Sequence, residues 1–188
     1  MNKKLITLIV LIVFVVVAAV IMSRPGEPEP NISLTAAAAQ ASFAPDESVV
    51  INLRLMNDGG ETCVSDMASG AVQLVSVRKD GEDVATRTAP SYFITSFPKM
   101  LESSLVPLAQ GGSLDITLAS SYDEGLSTQT LRATVAEGTR GMTTFYDVGA
   151  PGTYELELMY AYPGPASPEC DHVYDGSNTA TVSFEITS

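Results

Sequence analysis

The chain has 188 residues, with 22 acidic and 10 basic side chains and a formal net charge of −12 at pH 7. Residues 1–24 hold three of the basic residues and none of the acidic ones, so seven basic and 22 acidic residues remain in the rest, a net charge of −15. This argues against nucleic acid as a partner, because phosphate recognition needs a basic surface, and against a domain lying flat on an anionic membrane. Solubility is the simplest role of such a charge; a basic partner or bound divalent cations are the functional alternatives.

An apolar run of 18 residues extends from Leu5 through Phe14 to Met22. As a helix it would span roughly 27 Å, close to the hydrocarbon thickness of a bilayer. Two lysines precede the run, and the positive-inside tendency therefore places the N-terminus in the cytoplasm. We predict that residues 1–24 are a single-pass anchor in the lipid bilayer of the cell (inner) membrane.

Residues 25–30 (PGEPEP) predict a short Pro-rich spacer, because proline cannot continue the helix and favours an extended, semi-rigid chain. A cleaved signal peptide is the alternative to a retained anchor. Its apolar region is usually about 7–15 residues long and ends at an A-x-A-like site, whereas this run is longer and residues 21–23 (IMS) match such a site poorly. Both interpretations place residues 31–188 outside the cytoplasm, in the periplasm or the extracellular space.

Residues 31–188 predict one all-β domain with a full core. Apolar and polar residues alternate with the period of two that is typical of half-buried strands. Between Leu74 and Val75 the phase slips, which indicates a β-bulge or burial on both faces. Asp80-Gly81 predicts a hairpin turn, because both positions accept positive φ values. The alternating segments are residues 49–55, 114–118, 154–162 and 180–186, with weaker ones at 31–35, 71–78 and 129–135.

One helical segment is predicted, over residues 96–102 (SFPKMLE), within an apolar and irregular stretch. This stretch either closes one end of the core or forms a docking surface for a partner protein or lipid headgroups. The candidate docking residues are Tyr92, Phe93, Phe97, Met100, Leu101 and Leu105.

Two cysteines, Cys63 and Cys170, lie in the part of the chain placed outside the cytoplasm. An oxidising compartment permits a disulfide between them. Closing a loop of about 107 residues would stabilise the fold by about 4–5 kcal/mol in the chain-entropy model. The alternatives are two free thiols or one intermolecular link.

Four motifs follow one another from Glu47 onward. A strand ends in Asn and a turn at residues 53–59 (LRLMNDG), and a strand runs into an Asp-Gly turn at residues 75–81 (VSVRKDG). Residues 108–111 (LAQG) precede a later strand, and residues 151–154 (PGTY) begin the penultimate one. This order resembles the bacterial Ig-like domains typified by the intracellular proteinase inhibitor family, over about two thirds of residues 31–188.

The resemblance implies an immunoglobulin-like antiparallel β-sandwich but carries over no inhibition of proteases. In that topology the B–C and F–G loops lie at the same end. Cys63 falls in the first loop and Cys170 in the second, so the resemblance implies that they form a disulfide. It also suggests a tyrosine-corner hydrogen bond for Tyr154. The alternative is that Tyr154 is an ordinary core residue. Residues 92–148 are longer than the family's compact pattern.

The chain offers little for catalysis. His172 is its only histidine, so a blue-copper site is excluded and a Ser-His-Asp triad would have to use a residue in a plain loop sequence. We therefore predict no enzyme activity, no catalytic residue and no cofactor.

Calcium is the metal that is hardest to exclude, because it takes oxygen ligands from flexible loops. If the two cysteines are bridged, acidic residues of both loops meet at one end of the domain. The simpler interpretation is solvated surface acid. The weak calcium candidates are Asp58, Glu61, Asp66, Asp171 and Asp175, with Glu169 beside them.

From these features we expect a non-catalytic accessory or structural subunit that docks, through its extracytoplasmic sandwich, on other membrane protein subunits of a larger assembly, such as an energy-transducing one. A ligand- or protease-binding module is the first alternative. A pilin-like filament subunit is the second, although no Lys/Arg-Gly processing site precedes the apolar run.

Overall fold

The computed structural model describes residues 28–91, 97–137, 140–170 and 172–188. Several predicted features lie outside these residues: the anchor with Leu5, Phe14 and Met22, the docking candidates Tyr92 and Phe93, and the calcium candidate Asp171. Within the described part of the chain, no helix is long and apolar enough to span a bilayer.

The described residues are mostly β-strand, which confirms the all-β class. Two short helical segments are α1 (Ala68–Ala71) and α2 (Phe97–Ser103). The strands are β1 (Ile32–Ala38), β2 (Ser42–Phe43), β3 (Val50–Asn57), β4 (Thr62–Ser65), β5 (Val72–Lys79), β6 (Glu82–Asp83), β7 (Thr86–Ser91), β8 (Leu105–Leu108), β9 (Ser113–Ala119), β10 (Ser121–Asp123), β11 (Thr128–Glu137), β12 (Arg140–Asp147), β13 (Gly152–Ala161) and β14 (Ser177–Ile186).

The strands form two main sheets with the orders β1-β3-β9 and β2-β14-β13-β5-β6. Neighbouring strands are antiparallel except for β2 and β14. A further sheet has the order β10-β11-β12-β7, and β4 pairs with β8. The sequence predicted neither β7 nor β12, so this third sheet was not anticipated.

The core lies between the inner faces of the two main sheets, as the alternation predicts. In β3, the side chains of Ile51, Leu53 and Leu55 are at most 1% exposed, while Arg54 faces solvent. Buried side chains of β13 and β14 belong to the same core cluster. Successive side chains of a strand point to opposite faces, which is why a period of two fills one core.

The phase slip in β5 is a β-bulge. Leu74 pairs with Leu158 and Ser76 pairs with Glu157, so Val75 has no partner in β13. Its side chain is 51% exposed. One extra residue returns the following apolar residues to the core face, which is the usual effect of a bulge.

The strand pairing defines two ends of the domain. At one end, Tyr160 near the end of β13 pairs with Val72, and its hydroxyl accepts from the Ser65 N–H at the end of β4. At the opposite end, Tyr154 pairs with Lys79, and β5 turns into β6 through Asp80 (φ 53°) and Gly81 (φ 88°). Both φ values are positive, as predicted for this hairpin.

Candidate functional site

The disulfide joins Cys63 of β4 to Cys170, in the segment between β13 and β14, with a Cα–Cα distance of 6.0 Å. The predicted pairing is therefore confirmed, and free thiols or an intermolecular link are wrong. The backbone supports the bridge: the Cys63 N–H donates to the His172 carbonyl (2.7 Å), and the Tyr174 N–H donates to the Cys63 carbonyl (2.9 Å). We call this region, with the β3–β4 turn and the β8–β9 turn, the disulfide-bridged end.

Asn57 is the main polar link of the disulfide-bridged end, and it is fully buried. Its Nδ2 donates to the carbonyls of Gly60 (2.7 Å) and Leu108 (3.0 Å). Its Oδ1 accepts from the N–H groups of Gly59 (3.0 Å) and Asn31 (3.3 Å). One side chain thus holds the β3–β4 turn, the end of β8 and the start of β1 together.

Residues 28–31 cross the β3–β4 turn and form what we call the strap. The Gly60 N–H donates to the Glu29 carbonyl (3.0 Å), and the Asp58 N–H donates to the Asn31 carbonyl (2.9 Å). The sequence predicted a spacer over residues 25–30. Its described part, residues 28–30, is attached to the domain by these bonds.

Two glycines let the strap lie this close. A Cβ atom on Gly60 would overlap the Pro28 carbonyl, and one on Gly59 would overlap the Glu29 carbonyl. Neither glycine has a positive φ value. Their role at this turn is therefore to leave room for the strap and not to adopt an unusual backbone conformation.

A groove of about 1220 Å³ runs along the disulfide-bridged end. The strap, the β3–β4 turn, the β8–β9 turn and residues 169, 170 and 172–176 line it. None of the described lining residues is Lys or Arg. The acidic ones are Glu29, Glu61, Glu169 and Asp175.

The calcium candidates of the described residues lie in three segments. Asp58 and Glu61 share the β3–β4 turn, whereas Asp66 follows β4 and Asp175 precedes β14. All four side chains are solvent-exposed. In the described residues, no group of three or more His, Cys, Asp or Glu side chains is placed to hold a metal ion.

His172 contributes its backbone to this end. Its carbonyl accepts from the Cys63 N–H and from the Thr62 hydroxyl (3.1 Å), while the residue is solvent-exposed. This fits the ordinary loop residue that the sequence predicted.

The α2 helix is present as predicted, but two of its apolar side chains pack inside the domain. Phe97 and Leu101 are each 1% exposed and pack with Met67 and Tyr162 in a small second cluster. The docking prediction is wrong for Phe97 and Leu101, because both side chains are buried in this cluster and cannot contact a partner.

Of the remaining docking candidates in the described residues, Met100 is 39% exposed and Leu105 is half-buried. The other two, Tyr92 and Phe93, lie outside the described residues. Among the described candidates, only Met100 and Leu105 are therefore accessible to a partner.

A buried polar network ties α2 to the sheets. The Tyr160 hydroxyl accepts from the Ser65 N–H (2.7 Å), and the Ser65 and Ser104 hydroxyls are 2.7 Å apart. The Ser104 hydroxyl also lies 2.7 Å from the Leu101 carbonyl. Burial raises the pKa of Tyr160 above its usual range. Sequence patterns could not reveal this network, because its members come from three separate elements.

The third sheet contains a salt bridge between its two outer strands. Arg87 of β7 contacts both carboxylate oxygens of Asp123 in β10, with a Nε–Oδ1 distance of 3.1 Å. The Arg87 guanidinium also lies 4.2 Å from the centroid of the Phe145 ring. Its hydrogen bonds lower the pKa of Asp123, an effect that burial partly offsets. The Leu126 N–H also donates to Asp123 (2.9 Å), so these contacts indicate a structural pair.

Comparisons with known proteins give no assignment: no family model, curated protein or solved structure matches the chain. The resemblance to bacterial Ig-like domains stays a prediction from the sequence.

Proposed function

We propose that the protein is a single-pass membrane protein whose immunoglobulin-like domain lies outside the cytoplasm and serves as a non-catalytic accessory subunit of a larger membrane assembly. The observation that carries this proposal is the Cys63–Cys170 disulfide. Structural disulfides persist in oxidising compartments and are rare in the cytosol. Together with the apolar N-terminal run, the bridge supports an anchored extracytoplasmic domain.

The strand order supports the immunoglobulin-like topology. The sheets β1-β3-β9 and β2-β14-β13-β5-β6 fit strands A-B-E and A′-G-F-C-C′ of such a sandwich, with the third sheet as an addition. The Tyr154 hydroxyl donates to the Ala150 carbonyl (2.8 Å), which fits the tyrosine corner at the start of strand F. The disulfide joins the B–C and F–G loops in this scheme and is not the usual inter-sheet bridge.

The subunit role follows from tethering. A domain held near the bilayer meets other membrane proteins at a raised effective concentration, so modest contacts can give a stable complex. The domain's acidic surface favours a partner with a basic extracytoplasmic surface, since complementary charge gives specificity and fast association.

Extraction of the full chain from native membranes in several mild detergents, followed by native mass spectrometry, tests this proposal. We expect the chain in a complex with at least one other protein in a fixed ratio. Recovery as a monomer alone in every detergent would contradict it.

A second candidate function is a ligand-recognition module, and the groove at the disulfide-bridged end favours it. In immunoglobulin-like domains, binding loops cluster at one end of the sandwich. On this alternative, an exported form that lacks residues 1–27 would bind its target as well as the anchored chain does. On the subunit proposal, that form would lose association with the assembly at native expression levels.

A further inference from the structure

The strap attaches the N-terminal side of the domain to one particular surface. Two backbone hydrogen bonds and the Asn57 side chain hold it, and the two glycines beneath leave no room for any other residue type without displacing it. Pro28 and Pro30 also fix their own φ angles. Residues 28–31 are therefore part of the folded domain, and the chain enters that domain at the disulfide-bridged end.

Given the proposed function, on which this step rests, we infer that the strap turns the disulfide-bridged end toward the membrane and presents it to a basic surface of a membrane protein partner. Only five residues separate Met22, the last residue of the apolar run, from Pro28. Even a fully extended chain covers at most about 20 Å over that stretch. The disulfide-bridged end is thus confined to a short distance from the anchor.

The opposite end lies much farther away. The ten residues of β13 run from one end to the other, and at about 3.3 Å per residue they span roughly 33 Å. A domain held by the strap keeps its disulfide-bridged end nearer to the anchor than its opposite end. A domain on a long flexible tether would rotate freely and expose both ends to the membrane equally.

The charge of the groove indicates which class of partner the disulfide-bridged end binds. The groove presented at this end is lined by four described acidic side chains and by no described Lys or Arg. Anionic lipid headgroups repel such a surface, while a basic protein surface attracts it. The strap and the charge therefore point to a protein contact at this end.

The test uses photo-crosslinking of the full chain in native membranes. A diazirine amino acid replaces Gln110, an exposed residue that lines the groove, or Glu82, an exposed residue of the β5–β6 hairpin at the opposite end. We expect protein adducts from position 110 at a yield at least fivefold above that from position 82. Equal yields, a higher yield from position 82, or adducts to lipid alone from position 110 would each overturn the inference.

Two variants test whether the strap causes the bias. Gly60→Ala adds a methyl group that the Pro28 carbonyl blocks, so the strap should be displaced and the fivefold bias should fall below twofold. If this variant fails to fold, a ten-residue Gly-Ser insertion after residue 27 lengthens the tether and leaves the domain unchanged, with the same expected loss of bias. A bias that survives both changes would overturn the role of the strap.

Membrane pelleting in the same samples separates this inference from the proposed function. If the chain does not pellet with membranes, the proposed function fails. If it pellets but shows the reverse crosslinking pattern, only the inferred orientation fails.

Discussion

Replacing Asn57 by alanine should destabilise the domain more than any other single polar substitution at the disulfide-bridged end. The side chain is fully buried and makes four hydrogen bonds. Its loss leaves the carbonyls of Gly60 and Leu108 and the N–H of Gly59 without this partner. The Asn31 contact is the longest, at 3.3 Å, and involves an exposed residue, so it adds least.

The expected cost is about 3–4 kcal/mol, taking about 1 kcal/mol for each of the three short hydrogen bonds and a further contribution from the unfilled space. This is a large part of a typical unfolding free energy of about 5–15 kcal/mol. With a urea m-value of about 2 kcal/mol/M, the unfolding midpoint should fall by roughly 1.5–2 M.

Urea unfolding of the full chain in detergent, followed by tyrosine fluorescence, measures this change, since the chain has seven tyrosines and no tryptophan. Asn52→Ala is the matched control, because Asn52 lies on the same strand but faces solvent. The control should change the unfolding free energy by less than about 0.5 kcal/mol. Equal losses of unfolding free energy for Asn57→Ala and Asn52→Ala would contradict the role assigned to Asn57.

Three further predictions concern other parts of the domain. Substituting serine for both Cys63 and Cys170 should lower the unfolding free energy by up to about 4–5 kcal/mol; a urea midpoint unaffected by the change would contradict the bridge's stabilising role. Arg87 lowers the pKa of Asp123 in the folded protein. The pair therefore stabilises the fold at pH values above about 3.9, the pKa of the carboxyl in the unfolded chain. This stabilisation is lost as the pH falls through the lower pKa that Asp123 has in the folded protein. Arg87→Met should therefore reduce the fall in melting temperature at acid pH, measured by thermal unfolding over a range of pH values. A fall as large as in the unsubstituted chain would contradict this. Burial raises the pKa of Tyr154 to about 12, so the stability contributed by its protonated form is present below about pH 10 and is lost as pH rises toward 12. Tyr154→Phe should therefore reduce the alkaline loss of unfolding free energy, while Tyr160, whose pKa burial also raises, still contributes to it; an alkaline loss as large as in the unsubstituted chain would contradict this.

Local patterns predicted most of the strands of the main sheets. The alternation in β3 and β13 identified their core faces, because a period of two in sequence is a property of a single strand. The slip at Val75 indicated either a bulge or burial on both faces, and the structure has the bulge, because one inserted residue reverses every following side chain. Predicting the disulfide also required the arrangement of the loops, which came from the resemblance to bacterial Ig-like domains.

The features missed are those that depend on contacts between distant residues. Asn57 and Leu108 are 51 residues apart, and Arg87 and Asp123 are 36 apart. No periodicity records such pairs. The Asn-Asp-Gly-Gly sequence at the end of β3 does carry a partial signal, because two glycines directly after a buried strand indicate a turn that another segment approaches closely.

For Phe97 and Leu101 the docking alternative is wrong and the core-closing alternative fits, for a related reason. An apolar stretch with irregular pattern is equally compatible with a surface patch and with a small satellite core. Phe97 and Leu101 are buried because Met67 and Tyr162, from other parts of the chain, meet them. Only the fold determines which of the two environments such residues have.

On the proposed function, residues 1–24 keep the chain attached to the membrane, with the disulfide-bonded domain outside the cytoplasm. Intact-mass spectrometry of the native protein, performed without reductant on separated membrane and soluble fractions, tests this attachment. We predict a species in the membrane fraction that retains residues 5–22 and is two hydrogen atoms lighter than the reduced chain. A soluble species whose N-terminus lies near residue 24 would contradict the proposed attachment.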